Sequence, residues 1–459
     1  MSIESIIHKY KNTYYNFPQP LKTFLGGLYG NIPLSLRFGE PYRVNKDIIE
    51  KFEEGDEQFK LDYMYNKTLE TLLFAEKNIV YYKNIFNEYE VSSQSFKELN
   101  DIKLFPNLTK AIMKENLEDM YTSQVEKPVA YYTGGSLSTP TKFFLPTSSR
   151  GKETAYSKYL FSKLGYKNRD KMLLLKGREI SNLKEDTFWE YEPVANYFLL
   201  SNNYLNSNKF PKMYQKAEDF QPKFIFGYPS AILSFIKQSK KNNFNKLDIE
   251  GIILASETVY PAEIKEIQNY FGVDILTHYG HTERHALAYR INEGNYGFMN
   301  SYGLVRDVNE KIITTTFDNF VMPFINYETN DTLAGRRDHF KQTDIVKTSE
   351  TIEGRTQDFL VTKDERLVSI TTMCGGQYLP LEQISTLQYI QEKPGEVTVL
   401  VESSDVDKDA VAAGMKKLVR DGIDFKVKSV DNVEKSSRGK RIMCKQSLNI
   451  EEIRMKNDI

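Results

Sequence analysis

Residues 223–284 read KFIFGYPSAILSFIKQSKKNNFNKLDIEGIILASETVYPAEIKEIQNYFGVDILTHYGHTER, and their rhythm decides the fold. Three short apolar runs, "KFIFGYPS" (223–230), "GIILASET" (251–258) and "VDILTHYGHTER" (273–284), are separated by two stretches with helical periodicity, "AILSFIKQSKK" and "PAEIKEIQNYFG". Continuous apolar runs of this length fit buried parallel strands, and connections of this length fit right-handed β-α-β crossovers. Pro261 suits the first turn of the second helix, because the amide that proline lacks is unsatisfied there anyway. Ligands of open α/β sheets bind outside the carboxyl ends of the strands, so "GYPS", "ASET" and "HYGHTER" are expected to line one sheet edge.

Outward from this centre the pattern changes at both ends. Upstream, Leu61, Met64, Tyr65, Leu69, Leu72 and Leu73 recur at helical spacing, so residues 1–90 read as a mainly helical entry region that packs on a larger domain. Downstream of Gly303 come strand-like pieces, and then "EVTVLVESS", "KDAVAAGMKKLVRDG", "DFKVKSVDNV" and "KRIMCKQ" read as strand, helix, strand, strand. This last block is large enough to be a small α+β domain, with its boundary in the charged stretch 353–366.

Composition excludes several classes of function. With 459 residues, 40% hydrophobic and 27% charged, the chain has the balance of a globular enzyme and the length of two or three domains. A formal net charge of -1 supplies no global basic field for nucleic acid or an anionic surface. No apolar run approaches the ~20 residues of a membrane span, and the first residues lack a secretion-signal pattern. Two cysteines, Cys374 and Cys444, form no disulfide framework, which fits a cytoplasmic protein.

Three constellations carry chemistry. "YYTGGSLSTPTKFFLP" (131–146) crowds Gly134 and Gly135 with the hydroxyls of Thr133, Ser136, Ser138, Thr139 and Thr141, a composition that suits phosphate oxygens and equally a simple polar turn. It is not a Walker loop, since no GK[ST] follows. "HYGHTERHALA" holds His278, His281 and His285, three of the five histidines, together with Glu283. Their spacing differs from the HExxH of zinc proteases. A single carboxylate at a strand end suits Mg²⁺, and His285 reads as a partly buried helix residue, with a histidine-ligated metal hydrolase as the alternative. "SSRGKRIMCKQ" (436–446) is a basic turn without the interleaved aromatics of a nucleic-acid site.

The order of the pieces resembles one family. "YYTGGSLSTPTKF", "ASETVYP", "HYGHTER", "MPFINYETND", "IEGRTQD" and "SSRGK" follow one another as in the adenylate-forming enzymes, and the chain is most similar to their phenylacetate-CoA ligase-like branch, which includes proteins of capsule and surface-polysaccharide clusters. "FAEKNIVYYKNIF", "LFPNLTKAIMKEN" and "FQPKFIFGYPSAI" extend the likeness over nearly the whole chain.

The resemblance implies an α/β fold: a large N-terminal adenylation domain, residues 1–354, with mixed and parallel sheets flanked by helices, and a small mobile C-terminal domain, residues 355–459. It implies ATP-dependent activation of a carboxylic acid to an acyl-adenylate with release of pyrophosphate, then transfer to coenzyme A or to an amine such as an amino sugar. Thr133, Gly134, Gly135, Ser136, Ser138, Thr139 and Lys142 would hold the outer phosphates. Ser256, Glu257 and Thr258, with His278, Tyr279 and Gly280, would wall the adenine and acyl pockets, and Tyr228, Pro229 and Ser230 would adjoin the acid. Thr282 would meet the α-phosphate, Glu283 the Mg²⁺, Asp331 and Arg355 the ribose, and Asp358 would be the hinge. Lys440 would bridge the acid and the α-phosphate.

Two departures stand out. Ser138 and Thr139 replace the usual loop glycine and lysine, which leaves a nucleotide-binding scaffold without catalysis as a further alternative. Asn330 replaces the glycine before Asp331, a change that a left-handed backbone at that position would tolerate.

Overall fold

The computed structural model describes residues 14, 17–132, 141–176, 187–205, 207–257, 259–353, 359–365, 367–373, 384, 386–403, 406–419, 422–435, 442–450 and 452–453. The chain divides into two compact units. One comprises Met1–Asn168, Pro193–Ala195 and His278–Ile352; the other comprises Arg169–Glu192, Asn196–Thr277 and Glu353–Ile459. The fold is α/β, with mixed sheets flanked by helices and a smaller sheet near the C-terminus.

In the first unit the expected helical entry is present as Gln19–Asn31, Glu40–Glu54, Glu57–Asn78 and Val80–Glu88. Asp56 starts the longest of these: its carboxylate accepts the Phe59 amide at 2.8 Å, satisfying one of the free donors at a helix start. Met64, Thr68, Thr71, Leu72 and Ala75 form the buried face of that helix. Leu73, expected with them, is half exposed, because one residue past Leu72 the helix has turned it away from that face.

The core of this unit joins Met64, Leu72, Tyr82 and Phe86 to Phe105, Phe143 and Phe324. Its strands run in the order Gly303–Val308, Lys311–Thr316, Tyr327–His339, Val346–Glu353, Tyr296–Phe298, Leu287–Ile291. Antiparallel pairing along this order sets Val305 opposite Thr314 and Gly297 opposite Tyr289. A separate hairpin pairs Pro128–Tyr132 with Lys142–Pro146 and sets Tyr132 opposite Lys142 at its open end.

The second unit carries the alternating pattern read from residues 223–284. Strands Gly251–Ala255, Phe224–Gly227, Met172–Leu175 and Tyr197–Leu200 lie side by side, with Trp189–Glu192 antiparallel at the edge. The other pairings are parallel, Phe224 opposite Gly251 and Met172 opposite Phe224. Helix Pro229–Lys241 joins Phe224–Gly227 to Gly251–Ala255, and helix Pro261–Phe271 follows Gly251–Ala255; both have proline in the first turn, which the sequence led one to expect at Pro261. Gly227 is the residue for its place, since a Cβ there would meet the Leu175 carbonyl oxygen at 2.7 Å.

Within the same unit, Asp424–Val430, Glu396–Glu402, Leu387–Lys393 and Cys444–Gln446 form a four-stranded sheet in that order. The central pair is antiparallel and the outer strands are parallel to their neighbours. Helix Lys408–Val419 supplies Val411 and Met415 to a core with Val397, Val399, Tyr389 and Tyr260. The strand, helix, strand, strand reading of this block therefore holds. No helix among the described residues is long and apolar enough to cross a membrane.

Candidate functional site

In the first unit the chain leaves strand Ile275–Gly280 and re-enters the sheet at Leu287–Ile291, so residues 281–286 form a tight connection. The Arg284 amide donates to the His281 carbonyl at 3.1 Å, and Arg284 has a left-handed backbone (φ 59°). Gly303 lets this connection lie against the sheet: a Cβ there would stand 2.3 Å from the His285 carbonyl oxygen.

The turn brings two of the ordered motifs together. The Tyr279 hydroxyl, from "HYG", donates to Asp331 Oδ2, from "YETND", at 2.8 Å. Nε2 of His281 lies 2.5 Å from that hydroxyl and 3.0 Å from the same carboxylate oxygen. A carboxylate only accepts, so Nε2 of His281 is the donor in its contact with Asp331. Asp331 is itself buried, its amide held by the Thr329 hydroxyl at 3.3 Å.

His285 differs from its expected place. It lies in no helix but in the connection before Leu287–Ile291, and it is fully buried. Its ring packs 4.2 Å from that of His281 and 5.2 Å from that of Tyr327, centroid to centroid. Among the described residues, neither of its ring nitrogens has a hydrogen-bond partner. Burial, reinforced by the His281 imidazole, holds it well below the ordinary histidine value, so it is neutral near pH 7. Glu283 is also buried, and one potential ligand atom from each of His281, Glu283 and His285 lies within 4.8 Å of the other two. Thr282, between them, is exposed.

Lys142 opens the second strand of the hairpin, its ammonium 5.0 Å from the Phe144 ring centroid. Arg284 was not singled out in the sequence, yet its guanidinium donates to Ser149 Oγ at 2.7 Å and lies 5.7 Å from the Tyr131 ring, on the other strand of that hairpin. Its position directly after Glu283 in "HTER" was the available signal. Asn330 does not take the left-handed backbone that would favour glycine there, so this departure needs no such compensation.

In the second unit, "GYPS" and "ASET" meet. Tyr228 precedes helix Pro229–Lys241, and the Ser230 amide and hydroxyl both donate to the Glu257 carboxylate, at 3.2 and 3.0 Å. The carboxylate thus lies where the aligned amides of a helix start favour negative charge. Ser256, before it, has φ 69°, a left-handed conformation that aims the Glu257 backbone. His278 and Gly280, the remaining wall residues, lie on strand Ile275–Gly280 and belong to the first unit. Thr133, Gly134, Gly135, Ser136, Ser138, Thr139, Thr258, Arg355, Asp358 and Lys440 lie outside the described residues.

No protein-family model matches the chain. A protein named CapK from Staphylococcus aureus is 22% identical over 417 residues, which cover 88% of this chain and 91% of that protein. Among solved structures, 2-hydroxyisobutyryl-CoA ligase in the postadenylation state, in complex with R3-HIB-AMP, superposes with a TM-score of 0.64 at 12% identity, covering 86% of this chain and 90% of that one. The same ligase with 2-HIB-AMP and CoA in the thioesterification state gives a TM-score of 0.53 at 11% identity, over 87% and 92% of the two chains. The chain has the fold of the adenylate-forming acyl-CoA ligases, as its ordered motifs led one to expect.

Proposed function

We propose that this protein activates a carboxylic acid with ATP, releasing pyrophosphate and forming an acyl-adenylate that passes to coenzyme A. The observation that carries the reading is the meeting of Tyr279 and Asp331 at 2.8 Å: two motifs 52 residues apart in sequence converge on one buried polar point. The fold adds support, since a solved ligase of this architecture holds an acyl-adenylate and another of its states holds CoA.

In this reading Tyr279 and Gly280 flank the adenine and Asp331, with Arg355, receives the ribose hydroxyls. Thr282 is exposed beside Glu283 and faces the α-phosphate. The Glu283 carboxylate is an oxygen donor of the kind Mg²⁺ takes, and the ion would supply positive charge to phosphate oxygens. Attack by the acid at the α-phosphorus gathers negative charge in the transition state, and the Lys440 ammonium neutralises it. Residues 355–459 deliver that lysine as a small domain moving about Asp358. The acid is already a nucleophile, so no general base is needed for this step. The acid itself lies against Tyr228, Pro229 and Ser230, beside Ser256 and Glu257.

The test is acid-dependent exchange of labelled pyrophosphate into ATP over a panel of aromatic, aliphatic and amino acids. At least one acid is expected to support exchange, and Lys440→Ala is expected to abolish it while nucleotide binding persists. Absence of exchange with every acid, together with no ATP binding by calorimetry, overturns the reading. Mass spectrometry of a reaction supplied with CoA and, separately, with an amino sugar decides between thioester and amide.

A further inference from the structure

We propose that His281, Glu283 and His285 form a binding site for one divalent ion of the zinc class, with Asp331 orienting His281 from behind. The ligand set is two imidazoles and one carboxylate gathered by a single turn, each offering a donor atom within 4.8 Å of the others. Imidazole nitrogen is a poor ligand for Mg²⁺ and a favoured one for zinc-like ions, and three protein ligands of this kind leave a fourth position for water. Metal–ligand distances of ~2.0–2.2 Å in a tetrahedral site would bring the donor atoms to roughly 3.4 Å from one another, so binding draws the three side chains together by at most about 1.4 Å.

Two observations besides the cluster point to a ligand. First, His285 is fully buried with both ring nitrogens unpartnered among the described residues, and an unmade hydrogen bond at a buried polar atom costs about 1–3 kcal/mol. A histidine kept only for packing would be bonded at one nitrogen at least. Second, His281 is already held as metal-bound histidines are: Nε2 engages a carboxylate, Asp331 Oδ2 at 3.0 Å, and Nδ1 has no hydrogen-bond partner among the described residues. Glu283 has no hydrogen-bond or ion-pair partner among the described residues. The alternating His-x-Glu-x-His differs from HExxH because a turn, and not a helix face, gathers the three side chains.

The metal site stands without the adenylation reading. One consequence does rest on that reading: an ion held by the histidines takes Glu283 away from Mg²⁺ and the nucleotide, so zinc-class ions would inhibit exchange.

The experiment is a calorimetric titration of the full chain, stripped with a chelator and free of nucleotide, with Zn²⁺ and separately with Mg²⁺. One Zn²⁺ per chain is expected, bound at least 100-fold more tightly than Mg²⁺, and Co²⁺ should give the visible absorption of a four-coordinate nitrogen–oxygen site. Asp331→Asn should weaken Zn²⁺ by about 10–100-fold, the usual effect of losing the group behind a ligating histidine. His281→Ala should weaken it at least as much and remove the Co²⁺ spectrum. His281 is partly exposed, so this variant decides the matter even if His285→Ala fails to fold. The proposal is overturned by absence of stoichiometric Zn²⁺, by equal affinity for Zn²⁺ and Mg²⁺, or by unchanged binding in His281→Ala. A failure to catalyse pyrophosphate exchange leaves these binding outcomes untouched.

Discussion

Glu257 in one unit and Glu283 in the other each stand in a quoted motif, and their surroundings are opposite. Glu257 accepts two hydrogen bonds from Ser230 and sits at the start of helix Pro229–Lys241. Glu283 has no such partner among the described residues and lies instead beside two imidazoles. A third carboxylate, Asp318 in the first unit, is still more engaged: it takes Lys67 at 2.7 Å and the buried Lys152 at 3.3 Å. A carboxylate whose bonds are made within its own unit holds structure together. One left open beside imidazole nitrogens is available for a cation and for chemistry.

Replacing Glu283 is the sharpest way to break this comparison. Glu283→Gln should lower acid-dependent exchange by about 10²–10³-fold, the scale of removing one electrostatic stabiliser of a transition state, with little change in Tm. Kinetics beside a thermal melt separate the two effects, and a large loss of Tm would place Glu283 with the structural carboxylates.

Asp318→Asn should act in the opposite sense. Losing one partner of a buried ion pair costs about 3–5 kcal/mol, and the partly exposed Asp318 side chain reduces this to about 2–3 kcal/mol, read from urea unfolding. Burial pushes the Asp318 carboxyl up, but the Lys152 and Lys67 ammoniums outweigh it and hold it below its ordinary value. Its contribution is therefore complete above the unfolded carboxylate value of about 3.9 and disappears as pH falls through the lower folded value. The variant should unfold with a weaker pH dependence in that acid range.

Glu257→Gln keeps the shape but removes the charge at a helix start, and should cost about 1 kcal/mol with a smaller change in exchange rate. If exchange falls as far as in Glu283→Gln, the distinction between the two glutamates fails. Ser256→Gly has the smallest expected effect. It relieves a left-handed non-glycine backbone and loses some chain stiffness, for a net stabilisation of roughly 0.5 kcal/mol by thermal melt.

How far the sequence was legible depended on the range of the interactions involved. Strands and helices in residues 223–284 were readable because periodicity and a first-turn proline are local signals, and Pro261 sits where it was expected. The order of motifs also led to the correct fold. Leu73 was misjudged because its apolar character is local, while its direction depends on which helix face meets the core. His285 was misplaced because a turn closed by a left-handed Arg284 interrupts the expected helix.

By itself, then, the amino-acid sequence determined the alternation of elements, the class of fold and the candidate chemistry of its motifs, since these follow from residue type and spacing. Only the tertiary structure decided which polar groups are already satisfied. Hydrogen bonds such as Tyr279 to Asp331 and Ser230 to Glu257 join residues 52 and 27 positions apart, and no local pattern specifies them. Burial then fixes their consequence, because a group removed from water must find its partner within the fold or in what the fold binds.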